Sequence, residues 1–344
     1  MMIDYEQLNL AYGEDRFYAL QLEVGDVCHQ GCIYCYMNAL PGEKNRLSDA
    51  KISNILYDSQ RLGISAIEWL GGEPLLRESV FEHMARARDY GFRNNIWTGG
   101  LPLAEKEILE KTARYCRHGL IALHVSTVDP KLYESLHYKG SKKDLELILE
   151  AVRELLETGY PSDQILNSVT YTGLQLAEDM VATIDYFEEK FGIKTSVNIY
   201  HTYLRPGTAD SALKQFIPDR KSVARVYKRF SEQYGIKEFP MNCVNKQYCS
   251  ATLAVLCDGS VTPCATIRPE GAPNINQSAN LYDIVSEHRD ELIFKKFKNP
   301  DNLPRPCRKC RLSEICWGCR SRAYAAGLGI YGPDPRCFRS KVSV

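Results

Sequence analysis

The sequence carries no excess charge of either sign. Lys and Arg number 43, Asp and Glu number 43, and the formal net charge is zero. That excludes nucleic-acid binding driven by bulk positive charge. No apolar run approaches the roughly 18 residues of a membrane span. Neither a nucleic acid nor a membrane is therefore expected as a partner. Met1 to Asp15 is acidic and polar, without the apolar stretch of a signal peptide. A cytoplasmic location is expected, and a disulfide scaffold is not. Repeats and low-complexity tracts are also missing. Cysteine is scarce in the middle of the chain, where only Cys116 lies between Cys35 and Cys243.

At the two ends cysteine is abundant. The chain has 13 in 344 residues, three in one group near the N-terminus and nine after residue 240. In a reducing compartment such clusters mean metal binding or thiol chemistry. The length suits about two domains.

The cysteine-poor body alternates between two patterns. Apolar and β-branched runs at Tyr18–Val24, Ile64–Leu70, Asn94–Thr98, Leu120–Ser126, Ile165–Tyr171 and Thr195–Tyr200 read as strands. Between and after them, helical spacing marks a segment capped by Ser48, then Arg77–Tyr90, Ala104–Tyr115, Lys142–Thr158, Ala177–Phe191 and Asp219–Tyr234. Gly91, Gly159 and Gly192 stand where helix stops are expected. Six βα units predict a parallel sheet, either a partial barrel or a doubly wound sheet. The active site should lie at the C-terminal strand ends. After about residue 236 helical periodicity fades, and a hairpin is expected over Leu253–Pro263 with its turn at Asp258-Gly259.

Cys28-x3-Cys32-x2-Cys35 follows the first strand. Three thiolates so close can converge on one metal centre and leave a coordination position open. Structural zinc, with His29 as a fourth ligand, uses the same residues. Gly71-Gly72-Glu73-Pro74 follows the second strand. Its glycines allow close backbone approach to a ligand, or simply a turn into the next helix.

Together the two motifs resemble the radical SAM superfamily, whose signature is CX3CX2C followed one βα unit later by a GGEP-like loop. Tyr34 matches the family's aromatic position. Val125-Ser126-Thr127-Val128-Asp129-Pro130 resembles its strand-four segment. Arg205-Pro206-Gly207-Thr208-Ala209 resembles its strand-six loop, with Thr208 where Arg is common. The resemblance covers residues 16–235 and implies an α/β fold, a partial (β/α)6 TIM-like barrel. It implies that Cys28, Cys32 and Cys35 hold a [4Fe–4S] cluster. S-adenosyl-L-methionine (SAM) would bind through Tyr34, Gly71, Gly72, Glu73, Pro74, Ser126, Asp129, Arg205 and Gly207. Reductive cleavage of SAM to a 5′-deoxyadenosyl radical would follow, with flavodoxin or ferredoxin as electron donor.

The C-terminal cysteines read Cys243-x5-Cys249-x14-Cys264 and Cys307-x2-Cys310-x5-Cys316-x2-Cys319-x17-Cys337. On spacing alone they also suit two structural zinc sites. They resemble the SPASM extension of radical SAM enzymes, which implies two auxiliary [4Fe–4S] clusters and three clusters in all. By that resemblance Cys243, Cys249, Cys264 and Cys319 hold one, and Cys307, Cys310, Cys316 and Cys337 the other. The expected division is a barrel over residues 1–235 and a small iron–sulfur domain over residues 236–344. Cys116 and Cys257 read as small buried apolar residues, with a hydrogen-donor role the alternative for Cys257.

Sulfatase-maturating enzymes carry an Asp where this chain has Ala265, and CX3C where it has Cys316-Trp317-Gly318-Cys319. Both departures argue against that activity. The tail around Arg320–Tyr324 and Asp334–Cys337 looks more like the pyrroloquinoline-quinone maturase and the heme-pathway decarboxylases. The 27 residues before Cys28 are too few for a leader-recognition domain, so a peptide maturase would need a separate recognition protein or direct recognition. Substrate-facing candidates at the strand ends are His124, Asn198, Tyr200, His201, Tyr203 and Arg205. His201, Tyr203 and His124 are the catalytic candidates. The expected substrate is a peptide or protein, cross-linked or oxidised. Small-molecule oxidation is the alternative, by sugar-alcohol dehydrogenation or tetrapyrrole propionate decarboxylation. A non-catalytic zinc scaffold is the alternative of another class.

Overall fold

The structure is a computed structural model that describes residues 3–39, 41–42, 45–201, 214–277 and 280–340. Six strands run parallel: β1 (Ala19–Glu23), β2 (Ala66–Leu70), β3 (Arg93–Thr98), β4 (Leu120–Leu123), β5 (Ile165–Tyr171) and β6 (Lys194–Ile199). They lie in the order β6-β5-β4-β3-β2-β1. A doubly wound sheet would reverse direction at a switch point, and this order never does. The fold is therefore α/β, of the partial-barrel kind.

The pleat separates two environments. Leu20, Leu22, Ile67, Trp69, Ile96, Ile121 and Leu123 pack against Ile52, Leu56, Met84, Leu109, Ile148 and Val152 of the helices. The opposite face is the barrel lumen. Trp97, Leu120, Ala122 and Leu166 cluster there, and Gln21, Glu23 and Glu68 share that face by alternation. Local chemistry sets the helix bounds. Ser48 Oγ accepts the Lys51 N–H at 3.2 Å to cap Asp49–Arg61. Ser141 and Asp144 form a capping box on Lys142–Glu157. Gly192 takes φ 65° to end Ala177–Phe191.

The expected hairpin is present as β7 (Thr252–Val255) and β8 (Val261–Thr262), with Gly259 at φ 89°. Its other edge was not foreseen. β7 pairs in parallel with β1 in the register Ala19↔Thr252 to Leu22↔Val255. The first strand of the cysteine-rich part thus extends the barrel sheet, and β8 forms its edge. A second departure is the helix Leu281–Leu292, in a stretch expected to lack helical periodicity. Its buried face is Leu281, Ile284, Val285 and Leu292, and non-helical backbone at His288 interrupts the repeat. Asp58 Oδ2 accepts the Leu281 N–H at 3.0 Å and ties this helix to Asp49–Arg61. No helix among the described residues is long and apolar enough to cross a membrane.

Candidate active site and thiol sets

The Cys28–Cys35 loop leaves the C-terminal end of β1 and is held from two sides. On one side Gly72 N donates to Gly25 O at 2.9 Å, and Glu73 N to Val27 O at 2.7 Å. A Cβ on Gly71 would lie 2.6 Å from Gly25 O, and one on Gly72 only 2.1 Å from Val27 O. The glycine pair is thus required by backbone packing against the cysteine loop. On the other side Ile33 N donates to Leu136 O at 3.0 Å, and Tyr138 N to Gly31 O at 3.0 Å. Glu73 braces the same region. Its carboxylate accepts from Leu75 N at 3.1 Å, Thr98 Oγ1 at 2.9 Å and Gly99 N at 2.7 Å. Burial still pushes its pKa up to about 7.

The three thiols of this loop are electrostatic neighbours. Burial raises the pKa of Cys32, and Cys35 and Cys28 raise it further. Burial pushes Cys28 up to about 11, and Glu73 and Cys35 add to the shift. Buried thiols so placed ionise only when a cation takes their charge, which is what a metal centre supplies.

Tyr34, His124 and Ser126 form one hydrogen-bonded unit. His124 Nδ1 lies 2.8 Å from Ser168 O, so Nδ1 carries the proton and Nε2 accepts. Tyr34 Oη stands 2.9 Å and Ser126 Oγ 3.0 Å from Nε2, and the two hydroxyls also meet each other. Burial lowers the His124 pKa, so the ring is neutral. Tyr34 also packs with Leu136, Tyr200 and Phe216. Asp129 gives one carboxylate oxygen to Leu132 N at 2.7 Å, capping Pro130–Leu136. Tyr203, Arg205 and Gly207 lie outside the described residues.

The C-terminal thiols are electrostatic neighbours in two groups, with Cys316 acting on Cys249 as well as on Cys307. Cys243 is exposed at the surface, yet the protein around it and then Cys319, Cys249 and Cys264 raise its pKa. These four come from well-separated stretches of chain. Cys307 is pushed up to about 12 by burial, opposed by Arg320 and reinforced by Cys316 and Cys337. Cys310 is near in sequence, and its Sγ accepts Leu312 N at 3.5 Å. Among the described residues no three His, Cys, Asp or Glu converge tightly enough to hold a single ion. A cluster spreads its thiolates further, because each takes its own iron.

The first thiol set faces the barrel. Ala265 N donates to Gln21 Oε1 at 3.0 Å, and Gln21 Nε2 donates to Glu68 Oε2 at 3.0 Å. The sequence reading missed Glu68. Burial pushes its carboxyl up to about 7, with Gln21 opposing. Glu23 was missed as well. It is fully buried, ion-paired to Arg268, and accepts Tyr36 Oη at 3.1 Å and Cys257 N at 3.2 Å. The available signal was a polar residue at every second position of apolar strands. The second set packs on the outer side, where Cys316 and Cys337 meet Tyr227, Phe230 and Met241. Cys116 is buried away from the site, and its carbonyl accepts Tyr160 Oη at 2.8 Å.

A partial barrel carrying a thiol triplet at the mouth of its first strand defines a class. Residues 22–187 match the family model of the radical SAM superfamily. By that match residues 22–187 form a radical SAM domain, which supports the use of an iron–sulfur cluster and SAM. SuiB of Streptococcus suis, solved with S-adenosylmethionine, is 16% identical with a TM-score of 0.65, over 97% of this chain and 80% of SuiB. The anSMEcpe structure with bound AdoMet is 15% identical with a TM-score of 0.69, over 94% of both chains. At such identity the likeness is one of fold, and it extends through the cysteine-rich C-terminal part. SuiB is also known bound to precursor peptide SuiA, and anSMEcpe bound to AdoMet and the Cp18Cys peptide.

Proposed function

We propose that this chain is a SPASM-type maturase that modifies a peptide or protein and carries two auxiliary clusters beside its SAM cluster. The observation that carries this reading is the gathering of Cys243, Cys249, Cys264 and Cys319 against the barrel lumen. Residues 1–235 form the catalytic barrel and residues 236–344 the auxiliary-cluster part. When bound, the SAM cluster and SAM supply a 5′-deoxyadenosyl radical that takes a hydrogen atom from the substrate.

The residues divide the remaining work. Cys28, Cys32 and Cys35 hold the SAM cluster. Gly71 to Pro74 receive the amino group of SAM, while Tyr34, Ser126, Asp129, Arg205 and Gly207 line the rest of it. His124, His201 and Tyr203 are the side chains nearest the substrate. Cys307, Cys310, Cys316 and Cys337 hold the outer auxiliary cluster. A flavodoxin or ferredoxin delivers electrons, and the thiol count suits a reducing cytoplasm. The peptide substrate is supported by the fold shared with two enzymes known in peptide complexes. Cys243, Cys249, Cys264 and Cys319 would hold the inner auxiliary cluster, which would supply a one-electron acceptor beside the lumen.

The test is anaerobic incubation of the iron-loaded chain with SAM, a reductant and candidate peptides. Peptide-stimulated 5′-deoxyadenosine and a mass change in the peptide are expected. Stimulation by a sugar alcohol or tetrapyrrole instead would replace the peptide reading. No 5′-deoxyadenosine together with bound zinc would replace the enzyme with a scaffold.

A further inference from the structure

The two C-terminal thiol sets differ in what their sulfurs meet. In the lumen-facing set three sulfurs have side-chain partners. His201 Nε2 lies 3.3 Å from Cys319 Sγ, Asn242 Nδ2 3.1 Å from Cys249 Sγ, and Thr266 Oγ1 3.2 Å from Cys264 Sγ. In the outer set, backbone amides serve. Cys316 Sγ accepts Met241 N at 3.2 Å and Gly318 N at 3.3 Å.

His201 reaches its sulfur from the barrel, two residues beyond β6. A buried ion pair sets that approach. Arg322 and Asp334 meet at 2.7 Å with side chains 2% and 0% exposed. Arg322 also donates to Ile199 O at 3.4 Å and Met241 O at 2.6 Å. Asp334 accepts the Cys319 N–H at 2.9 Å. One pair therefore grips both the end of β6 and the backbone of Cys319. A ligating thiolate sulfur can only accept, so the His201 nitrogen that meets it, Nε2, is the one that carries the proton.

We propose that His201 donates its Nε2–H to the Cys319 sulfur and raises the reduction potential of the cluster that this sulfur ligates. The proposal rests on reading Cys243, Cys249, Cys264 and Cys319 as cluster ligands. A hydrogen bond to a ligand sulfur stabilises the more negative, reduced cluster. His201 is then a positioning residue that acts through Cys319.

The test is a potentiometric titration of the iron-loaded full chain followed by electron paramagnetic resonance, preceded by an iron count. Wild type, His201→Leu and His201→Gln are compared. In His201→Leu one auxiliary signal should shift to lower potential by about tenfold in reduced-to-oxidised ratio, about 59 mV for one electron. His201→Gln retains an N–H and should recover part of the shift. Unmoved potentials at full iron would overturn the role of His201 and leave the cluster reading intact. Loss of about four irons in His201→Leu but not His201→Gln would also overturn it, because the contact would then hold the cluster rather than tune it. A wild-type chain with only about four irons would overturn both readings at once.

Discussion

Glu68 offers a sharp test of the lumen, because its carboxyl is buried among strands with Gln21 as its side-chain hydrogen-bond partner. Burial raises its pKa from 4.5 to about 7. A carboxyl whose folded pKa is raised favours the fold fully only below its unfolded pKa. That contribution is lost as pH rises, and the loss is complete above about 7. The shift corresponds to about 3 kcal/mol at pH 8 and under about 1 kcal/mol at pH 5. Glu68→Gln keeps an acceptor for Gln21 Nε2 and removes the ionisation. The variant should therefore melt higher than wild type by about 4 °C at pH 8 and by about 1 °C at pH 5, given the unfolding entropy of a chain this size. The assay is thermal denaturation of both cluster-loaded proteins across that pH range. Glu73 shifts in the same window but cancels in the comparison. A melting difference that does not change with pH would refute the burial of an ionisable Glu68.

The ion pair at the C-terminal core gives a second prediction. Asp334→Ala should cost about 3–5 kcal/mol, since it strands Arg322 as a buried unpaired charge; denaturation of the loaded protein measures it. Burial would raise the Asp334 pKa, but Arg322 and the Cys319 and Arg336 N–H groups outweigh it and hold it below the usual value. Its contribution is therefore present above about pH 3.9 and lost as pH falls through the lowered folded pKa. Tyr34→Phe and Ser126→Ala should each cost about 1 kcal/mol, because the remaining hydroxyl still reaches His124 Nε2. The double variant should cost more than their sum, as a double-mutant cycle would show. Gly72→Ala drives a Cβ into the Val27 carbonyl, and should lose the SAM cluster, read as about four fewer irons per chain.

The barrel was legible because its helices and strands carry their own periodicity. Ile165–Tyr171 and Ala177–Phe191 begin and end where their spacing put them. The thiol sets were readable as spacings, while their grouping came from resemblance to a family. What stayed hidden depends on contacts between distant segments. Thr252–Val255 looks like one arm of a hairpin, and four residues cannot announce that their other edge pairs with β1. Asn242 and Asp334 look like ordinary loop residues until the fold brings them to Cys249 and Cys319. His201 was read as facing substrate, and only the fold brings its Nε2 to 3.3 Å from the Cys319 sulfur as well. Gly71 and Gly72 were read as allowing close approach to a ligand or a turn into the next helix, and their close approach to the backbone of Gly25 to Val27 appears only in the fold.

The central claim is that eleven thiols in three sets hold iron rather than zinc, and the most direct measurement is iron, sulfide and zinc per chain after anaerobic reconstitution. Three clusters predict about twelve irons with matching sulfide, falling to about eight when Cys243 and Cys249 are replaced by Ala. About four irons with stoichiometric zinc, unchanged in that variant, would contradict the auxiliary-cluster account and leave only the SAM cluster at Cys28, Cys32 and Cys35.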